Sequence, residues 1–353
     1  MHQRRVKFTK IVGGGLNSHK IFGEIISLDN LFSAWREFRK GKKNRLDVQK
    51  FEFNLEDNLF QLYQELKNKT YQHSYYTPFY IQDPKLRRIH KASVRDRVLH
   101  HSVFRILYTI FDKGFIFDSY SCRLNKGTHN AVNRLEKFCW KLSKNNTKNI
   151  FALKCDVRKF FDSVDQGILL KLIKKRIQDN DAVWLIEKIV KSFENANGKG
   201  LPLGNVTSQL FANIYLNELD QFVKHKLKVK YYLRYCDDFV ILSQNEEILT
   251  KFISPINEFL KNNLNLILHP NKIILRKYNQ GIDFLGYVTR PYYRVLRTRT
   301  KKRILKKISK KHKDFKNGLI TKMSFNQSLY SYLGVLKHCK GYGIEKNLIW
   351  LDI

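Results

Sequence analysis

Three aspartates stand where short apolar segments end. Asp237 and Asp238 interrupt the apolar stretch 231–242, and Asp156 follows the apolar run 151–155. An Asp-Asp pair by itself is typical of a hairpin turn. If the segments before Asp156 and around Asp237 are neighbouring strands, however, three carboxylates converge on one place. Converging carboxylate oxygens in a basic protein predict bound Mg²⁺, with Mn²⁺ as an alternative.

Such a cluster would support phosphoryl chemistry. Two ions about 4 Å apart can activate a hydroxyl nucleophile and stabilise a leaving pyrophosphate during an in-line displacement. The protein then has only to position the reactants and screen their charge. The three aspartates therefore predict a two-metal nucleotidyl-transfer site.

The charge balance predicts a polyanionic partner. The chain carries 66 Lys and Arg against 31 Asp and Glu, a net charge of +35. A field of this size favours polyanions through steering and counterion release. Nucleic acid is the partner we expect, ahead of an anionic membrane surface. Charge alone leaves open a cationic protein without a specific partner.

Composition predicts a folded protein of the cytoplasm. The hydrophobic fraction is 43%, enough to build a core over 353 residues. The longest apolar runs, such as 239–242, are strand-sized and far below the roughly 20 residues of a membrane span. The five cysteines are scattered and form no CxxC pair, which is typical of reduced thiols.

Hydrophobic periodicity divides most of the chain into helices and strands. We predict helices over 51–66, 94–111, 166–176, 182–192, 208–219 and 247–262. We predict strands over 75–81 and 150–157, on both sides of an acidic turn within 231–242, and short strands around 282–287. Asp83-Pro84 predicts a turn. This order predicts an α+β fold, a sheet with helices on one face.

The segment 297–316 is strongly basic. Lys302, Lys306 and Lys310 step by four residues and therefore share one helix face. Apolar residues form the opposing stripe, namely Ile304, Leu305, Ile308 and Phe315. A solvated cationic face is one interpretation. Beside a polymerase core, the same face would meet the phosphate backbone of a duplex.

Short motifs between about residues 51 and 341 resemble those of reverse transcriptases, in the same order. Leu153-Lys-Cys-Asp156-Val-Arg-Lys-Phe-Phe161 resembles their first palm motif, and Tyr235-Cys236-Asp237-Asp238 their Tyr-x-Asp-Asp turn. Phe284-Leu285-Gly286-Tyr287 is similar to the primer-grip hairpin, and Lys272 to the lysine that follows the helix of the preceding motif. Segments 85–88, 95–97 and 119–129 resemble finger motifs of prokaryotic members.

The resemblance implies catalytic roles for particular residues. Asp156 and Asp237 would ligate the metal ions, with Asp238 in support. Phe161 would be the steric gate that selects dNTP over NTP; the alternative is a core aromatic beside Phe160. Lys272 would protonate the leaving pyrophosphate, unless it is an ordinary surface lysine.

The resemblance also implies binding residues. The incoming nucleotide would meet a group comprising Lys85, Arg87, Arg88, Phe161, Gln209 and Lys272, in which the basic side chains suit its triphosphate. The template and primer would meet Leu203, Gly204, Tyr235, Cys236, Phe284, Leu285, Gly286, Lys302, Lys306 and Lys310.

One loop indicates which subclass of reverse transcriptases the chain resembles. Leu203-Gly204-Asn-Val-Thr-Ser-Gln209 stands where most reverse transcriptases have Gln-Gly-x-x-x-Ser-Pro. This departure resembles the enzymes of diversity-generating retroelements, which copy a template-repeat RNA with errors at adenines. Alternatives are a neutral substitution in another prokaryotic lineage, a group II intron-like or phage-defence reverse transcriptase, and a non-catalytic RNA-binding scaffold. An RNA-dependent RNA polymerase is disfavoured by Phe161.

The resemblance implies a right-hand polymerase. We expect a basic N-terminal extension over 1–50, fingers over 51–150 with part of 166–200, a palm with an antiparallel sheet over 151–290, and a basic helical thumb over 291–353. The expected partners are template RNA, a primer–cDNA duplex and dNTPs, with a small basic accessory protein as a further candidate and no membrane. The expected origin is bacterial, archaeal or phage.

Overall fold

A computed structural model describes residues 20–82, 85–195 and 197–349. The turn predicted at Asp83-Pro84 lies outside them. Two compact units account for the fold. The first unit contains the residues up to Leu124, Val157–Lys228 and Pro255–His269. The second unit contains Asn125–Asp156, Val229–Ser254 and the residues from Pro270 onward.

Helices and strands alternate along the described residues. In chain order they are α1 (Ile21–Ile26), α2 (Leu28–Arg39), α3 (Leu46–Phe53), α4 (Leu55–Lys67), β1 (Thr77–Gln82), β2 (Leu86–Lys91), α5 (Val94–Phe111), α6 (Thr128–Leu142), β3 (Phe151–Asp156), α7 (Phe160–Ser163), α8 (Gln166–Lys174), α9 (Asn180–Lys191), α10 (Val206–Gln221), β4 (Tyr232–Tyr235), β5 (Asp238–Ser243), α11 (Glu246–Leu264), β6 (Ile274–Lys277), β7 (Ile282–Phe284), β8 (Tyr287–Arg290), β9 (Tyr293–Leu296), α12 (Thr298–Lys316), α13 (Lys322–Leu336) and α14 (Tyr342–Ile349). None of the described helices is both long and apolar enough to cross a membrane.

The core of the first unit forms around α5. Apolar residues at helical spacing, including Val98, Val103 and Leu107, are fully buried there, and α5 packs against α2 and α10. Ser93 caps the helix, because its side chain accepts a hydrogen bond from the backbone N–H of Asp96. The observed bounds of α5 are the predicted ones.

Two helical predictions need correction. The helix expected over 51–66 is broken at Asn54, which has φ −115° and ψ 46°, so α3 ends and α4 begins there. The side chain of Asn58 donates to the carbonyl of Phe51, 3.0 Å away, and stabilises the break. Helix α6 was not predicted at all. It begins after Gly127, whose φ of 103° suits only glycine.

The second unit contains an antiparallel four-stranded sheet. Its strand order is β4-β5-β3-β6, and every neighbouring pair is antiparallel. Strands β7, β8 and β9 form a separate antiparallel sheet. Helix α6 packs against β4 and β5. In α12, Ile304 and Ile308 are buried while Lys302, Lys306 and Lys310 are exposed, as their spacing predicted.

A buried carboxylate anchors the start of α5. Asp96 is inaccessible to solvent. It accepts hydrogen bonds from Tyr71 Oη at 2.8 Å, from Ser93 Oγ at 2.7 Å and from the backbone N–H of Ser74 at 3.0 Å. Burial alone would raise the pKa of Asp96, but the facing His73 ring and these hydrogen bonds outweigh burial and lower the pKa.

We expect Asp96→Asn to lower the free energy of unfolding by about 2–4 kcal/mol at pH 7, because the amide cannot satisfy three donors. Because the pKa of Asp96 is lower in the folded protein, its ionised carboxylate stabilises the fold at pH values above the unfolded pKa near 3.8. This stabilisation is lost as the pH falls through the folded-state pKa. Urea unfolding should therefore show a gap between variant and wild type that shrinks below about pH 3.8. The exposed Asp181→Asn should change stability by less than about 0.5 kcal/mol; equal losses would contradict the assignment.

Candidate active site

Neighbouring strands bring the three aspartates together. Strands β3 and β5 pair so that Asp156 lies directly opposite Asp238. Strands β4 and β5 form a hairpin that is closed by the pair Tyr235 and Asp238, which leaves Cys236 and Asp237 in the turn. The condition on which the sequence prediction depended, adjacent strands before Asp156 and around Asp237, is therefore met.

The turn between β4 and β5 is tightly held. Cys236 has a φ of 55°, a conformation that hairpin turns usually assign to glycine. Arg234 Nη1 donates a hydrogen bond to the carbonyl oxygen of Cys236 at 3.0 Å. On the other side of the strand, Thr128 Oγ1 donates to Tyr235 Oη at 3.2 Å. These contacts fix the backbone that presents Asp237.

Proximity of the carboxylates shifts their titration. Burial, followed by the charges of Asp238 and Asp156, raises the pKa of Asp237 to about 6. Burial also raises the pKa of Asp238, where the charge of Lys154 opposes the rise and that of Asp156 adds to it. The cluster therefore holds more negative charge than its surroundings can easily accommodate.

Two lysines partly balance that charge. Lys272 Nζ lies 2.5 Å from Asp156 Oδ1, and Lys154 Nζ lies 3.7 Å from Asp238 Oδ1. Lys272 follows Pro270 in a short 3₁₀ turn just before β6. Its proximity to Asp156 favours a role at the site over an ordinary surface position. Lys154 was missed from the sequence, although its spacing of two from Asp156 places both side chains on one sheet face.

The donor set suits a hard divalent cation. Carboxylate oxygens from Asp156, Asp237 and Asp238 are the ligands that Mg²⁺ and Mn²⁺ prefer. Within the described ranges, no group of three or more His, Cys, Asp and Glu side chains already has the spacing of a metal site. The ammonium group of Lys272 contacts Asp156 Oδ1, so it competes with a cation for that oxygen.

The hairpin between β7 and β8 also lies in the second unit. Phe284 pairs with Tyr287 and is fully buried. Leu285 and Gly286 form the turn, with φ values of 51° and 91°. Positive φ at both positions is the signature of a tight two-residue hairpin. Phe284 therefore anchors this turn, and Leu285 and Gly286 are its accessible part.

The first unit holds the other predicted nucleotide-contacting residues. Lys85, Arg87 and Arg88 lie on the exposed hairpin of β1 and β2. The loop 203–209 meets the base of this hairpin, because the backbone N–H of His90 donates a hydrogen bond to the carbonyl of Leu203 at 3.1 Å. Gly204 has a φ of 113°, and a Cβ there would lie 2.8 Å from Ile89 Cγ2.

Phe161 and Gln209 are both accessible. Phe160 fills the core against Tyr215, whereas Phe161 is half-buried and meets Phe160 edge-on, with ring centroids 5.3 Å apart. Phe161 is therefore less buried than the core aromatic Phe160, and its role as a steric gate stays a prediction. Gln209 is exposed in the first turn of α10.

The chain belongs to the reverse transcriptase (RNA-dependent DNA polymerase) family, which matches residues 81–289, more than half of its length. The class of protein predicted from the motifs is therefore confirmed. The predicted fold class, an α+β right-hand polymerase, is confirmed by this membership together with the mixed helices and antiparallel sheets.

Known relatives include group II intron-encoded proteins. Protein YkfC of Escherichia coli is 24% identical over 241 residues, 58% of this chain and 63% of YkfC. The group II intron-encoded protein LtrA of Lactococcus lactis is 24% identical over 303 residues, 66% of this chain and 49% of LtrA. Among solved structures, a telomerase from Candida albicans aligns over 70% of this chain and 51% of its own, with 12% identity and a TM-score of 0.48.

Carboxylate repulsion should make Asp237 destabilising in metal-free protein. A folded-state pKa of about 6, against 3.8 unfolded, opposes folding above pH 6 and has no effect below 3.8. With a chelator at pH 8, Asp237→Asn should raise the free energy of unfolding by about 1–2 kcal/mol. This is less than the full pKa difference would give, because solvent screens a partly exposed side chain. The gain should vanish near pH 4.

Chemical denaturation at both pH values measures this effect. Asp283→Asn is the matched control, because Asp283 forms an ion pair with Arg297 at 2.7 Å and carries no such repulsion. That variant should not gain stability at pH 8. Loss of stability in Asp237→Asn at pH 8 would contradict the electrostatic account of the cluster.

Proposed function

We propose that this protein is an RNA-directed DNA polymerase that copies RNA into cDNA by two-metal nucleotidyl transfer. The observation that carries the proposal is the register of β3 against β5, which sets Asp156 opposite Asp238 with Asp237 in the adjoining turn. Family membership supplies the reaction class. YkfC and LtrA extend beyond the matched region, since the alignments cover 63% and 49% of their lengths.

The aspartates have distinct roles in this proposal. Asp156 and Asp237 would ligate two Mg²⁺ ions, and Asp238 would support them. The ions, when bound, would activate the primer 3′-hydroxyl and neutralise the pyrophosphate. Lys272, released from Asp156, would lie close to the developing negative charge of the leaving group and could protonate it.

Basic surfaces would hold the substrates. Lys302, Lys306 and Lys310 form an exposed row on α12, separated by about 6 Å along the helix at each four-residue step, which suits successive phosphates of a primer–template duplex. Lys85, Arg87 and Arg88 on the β1–β2 hairpin would meet the triphosphate of the incoming dNTP. Phe161 would select against a ribose 2′-hydroxyl.

Primer extension tests the proposal. With an RNA template, a DNA primer, dNTPs and Mg²⁺, the wild-type protein should extend the primer, and Asp156→Ala or Asp237→Ala should lower the rate by at least about 1000-fold, because each removes a metal ligand. Glu247→Ala, which removes an exposed acid of the second unit, should keep the wild-type rate.

Binding measured in parallel separates the alternatives. A non-catalytic RNA-binding scaffold would bind the primer–template without extending it, even with RNA and small proteins from its own locus. That outcome would overturn the proposed activity. Equal extension by wild type and Asp237→Ala would show that another site, or a contaminant, performs the reaction.

A narrower proposal concerns fidelity. Leu203 and Gln209 depart from the usual Gln-Gly-x-x-x-Ser-Pro loop as the enzymes of diversity-generating retroelements do. The loop rests on the β1–β2 hairpin through the bond from His90 to Leu203. Loss of a hydrogen-bonding side chain at 203 would loosen the geometry of the nascent base pair and raise errors opposite adenine. The group II intron-encoded relatives favour the alternative, an intron-like enzyme.

Single-nucleotide misincorporation distinguishes the two lineages. We expect wild-type errors to concentrate opposite template adenine, and Leu203→Gln to reduce them by about twofold or more, because a restored polar side chain contributes about 0.5–1.5 kcal/mol of discrimination. Leu203→Met, which conserves volume, is the control and should leave the spectrum unchanged. Uniformly accurate copying by the wild type would favour the intron-like or phage-defence assignment.

A further inference from the structure

A fully buried arginine lies beneath the turn that carries the aspartates. Arg234, in β4, has no exposed surface and is the largest of the fully buried side chains in the described residues. Removing a guanidinium from water is expensive unless hydrogen bonds satisfy it. An apolar residue would fill the same space without that penalty, so the position calls for a specific reason.

The hydrogen bond to Cys236 supplies a reason for a buried arginine at this position. Arg234 Nη1 donates to the carbonyl oxygen of Cys236 at 3.0 Å, and Cys236 has the left-handed φ of 55°. That conformation is unfavourable for a residue with a Cβ unless surrounding contacts impose it. A charged donor forms one of the strongest hydrogen bonds available to a carbonyl.

Strand alternation places the side chain of Arg234 on the opposite sheet face from Asp156 and Asp238. Arg234 pairs with Phe239 across β4 and β5, whereas Tyr235 pairs with Asp238, and neighbouring residues of a strand point to opposite faces. Arg234 reaches the turn through the backbone carbonyl of Cys236.

We propose that Arg234 is a positioning residue for the polymerase reaction: it holds Cys236 in the left-handed conformation and thereby aims Asp237. This inference rests on the proposed function, since it concerns the catalytic turn of a polymerase. Arg234 need not touch nucleotide, primer or metal. Its loss should lower the rate of the chemical step while the primer–template and the dNTP still bind.

Arg234→Lys and Arg234→Met test the role. Lysine keeps the charge but loses the planar fork, and methionine removes the donor. We expect kcat to fall about 10-fold for lysine and about 100-fold for methionine, with KM for dNTP and Kd for primer–template changed less than about threefold. Ile241→Ala, a buried truncation of β5 away from the turn, controls for general destabilisation and should keep kcat near wild type at a temperature where it is folded.

A rescue experiment separates positioning from stability. Glycine adopts positive φ without penalty, so Cys236→Gly combined with Arg234→Lys should recover at least about fivefold in kcat. Cys236→Ala, which keeps the Cβ, should recover none. If glycine and alanine behave alike, or if KM rises while kcat is kept, the positioning role is wrong. Should Arg234→Met fail to fold, the comparison of Arg234→Lys alone with Arg234→Lys combined with Cys236→Gly decides.

Failure of the proposed function has a different signature. If wild-type protein shows no extension that depends on Asp237, the polymerase assignment fails and these kinetic comparisons have no baseline. The turn can then be examined through the hydrogen bond alone, by hydrogen exchange of the backbone amides around Cys236. Unchanged exchange in Arg234→Lys would overturn the structural part of the inference.

Discussion

The mutual repulsion of three carboxylates held on two neighbouring strands is the constraint around which the second unit is organised. Strand pairing forces Asp156 and Asp238 to face each other, and the turn adds Asp237. Burial first, and this repulsion second, raise the pKa values of Asp237 and Asp238. Lys154 and Lys272 supply the nearest compensating charge. A cluster of carboxylates that repel one another is stabilised when a cation binds, and functional sites commonly carry such local instability.

The surrounding elements make this crowding tolerable. Strands β5 and β3 lie in the interior of the sheet, with β4 and β6 outside them, so the backbone on which the aspartates depend has hydrogen-bonded partners on both sides. Leu153, Cys155 and Phe239 are fully buried. The aspartates therefore lie at the end of two well-packed strands, and this packing limits how far the carboxylates can move apart.

Local signals in the sequence identified a good part of this arrangement. The run before Asp156 and the apolar residues around Asp237 predicted the strands, and α5 was predicted with its observed bounds. The break at Asn54 was missed because helical spacing continues across it, and only the local hydrogen bond of Asn58 reveals it. Lys154 and Arg234 were missed for another reason. Spacing places Lys154 on the face of Asp156, but its contact with Asp238 is set by strand register, and the contact of Arg234 with Cys236 is set by turn geometry.

The pairing of β3 with both β5 and β6 has a consequence for how the protein is made. Asp156 meets a partner more than 80 residues later in the chain, and Lys154 pairs with Ile274 in β6, farther still. Contacts of such separation form late, because the intervening chain must be closed into a loop. During synthesis the sheet stays incomplete until β6 has left the ribosome. The cluster of acidic side chains therefore assembles after most of the chain exists, and a shortened nascent polypeptide lacks the complete cluster.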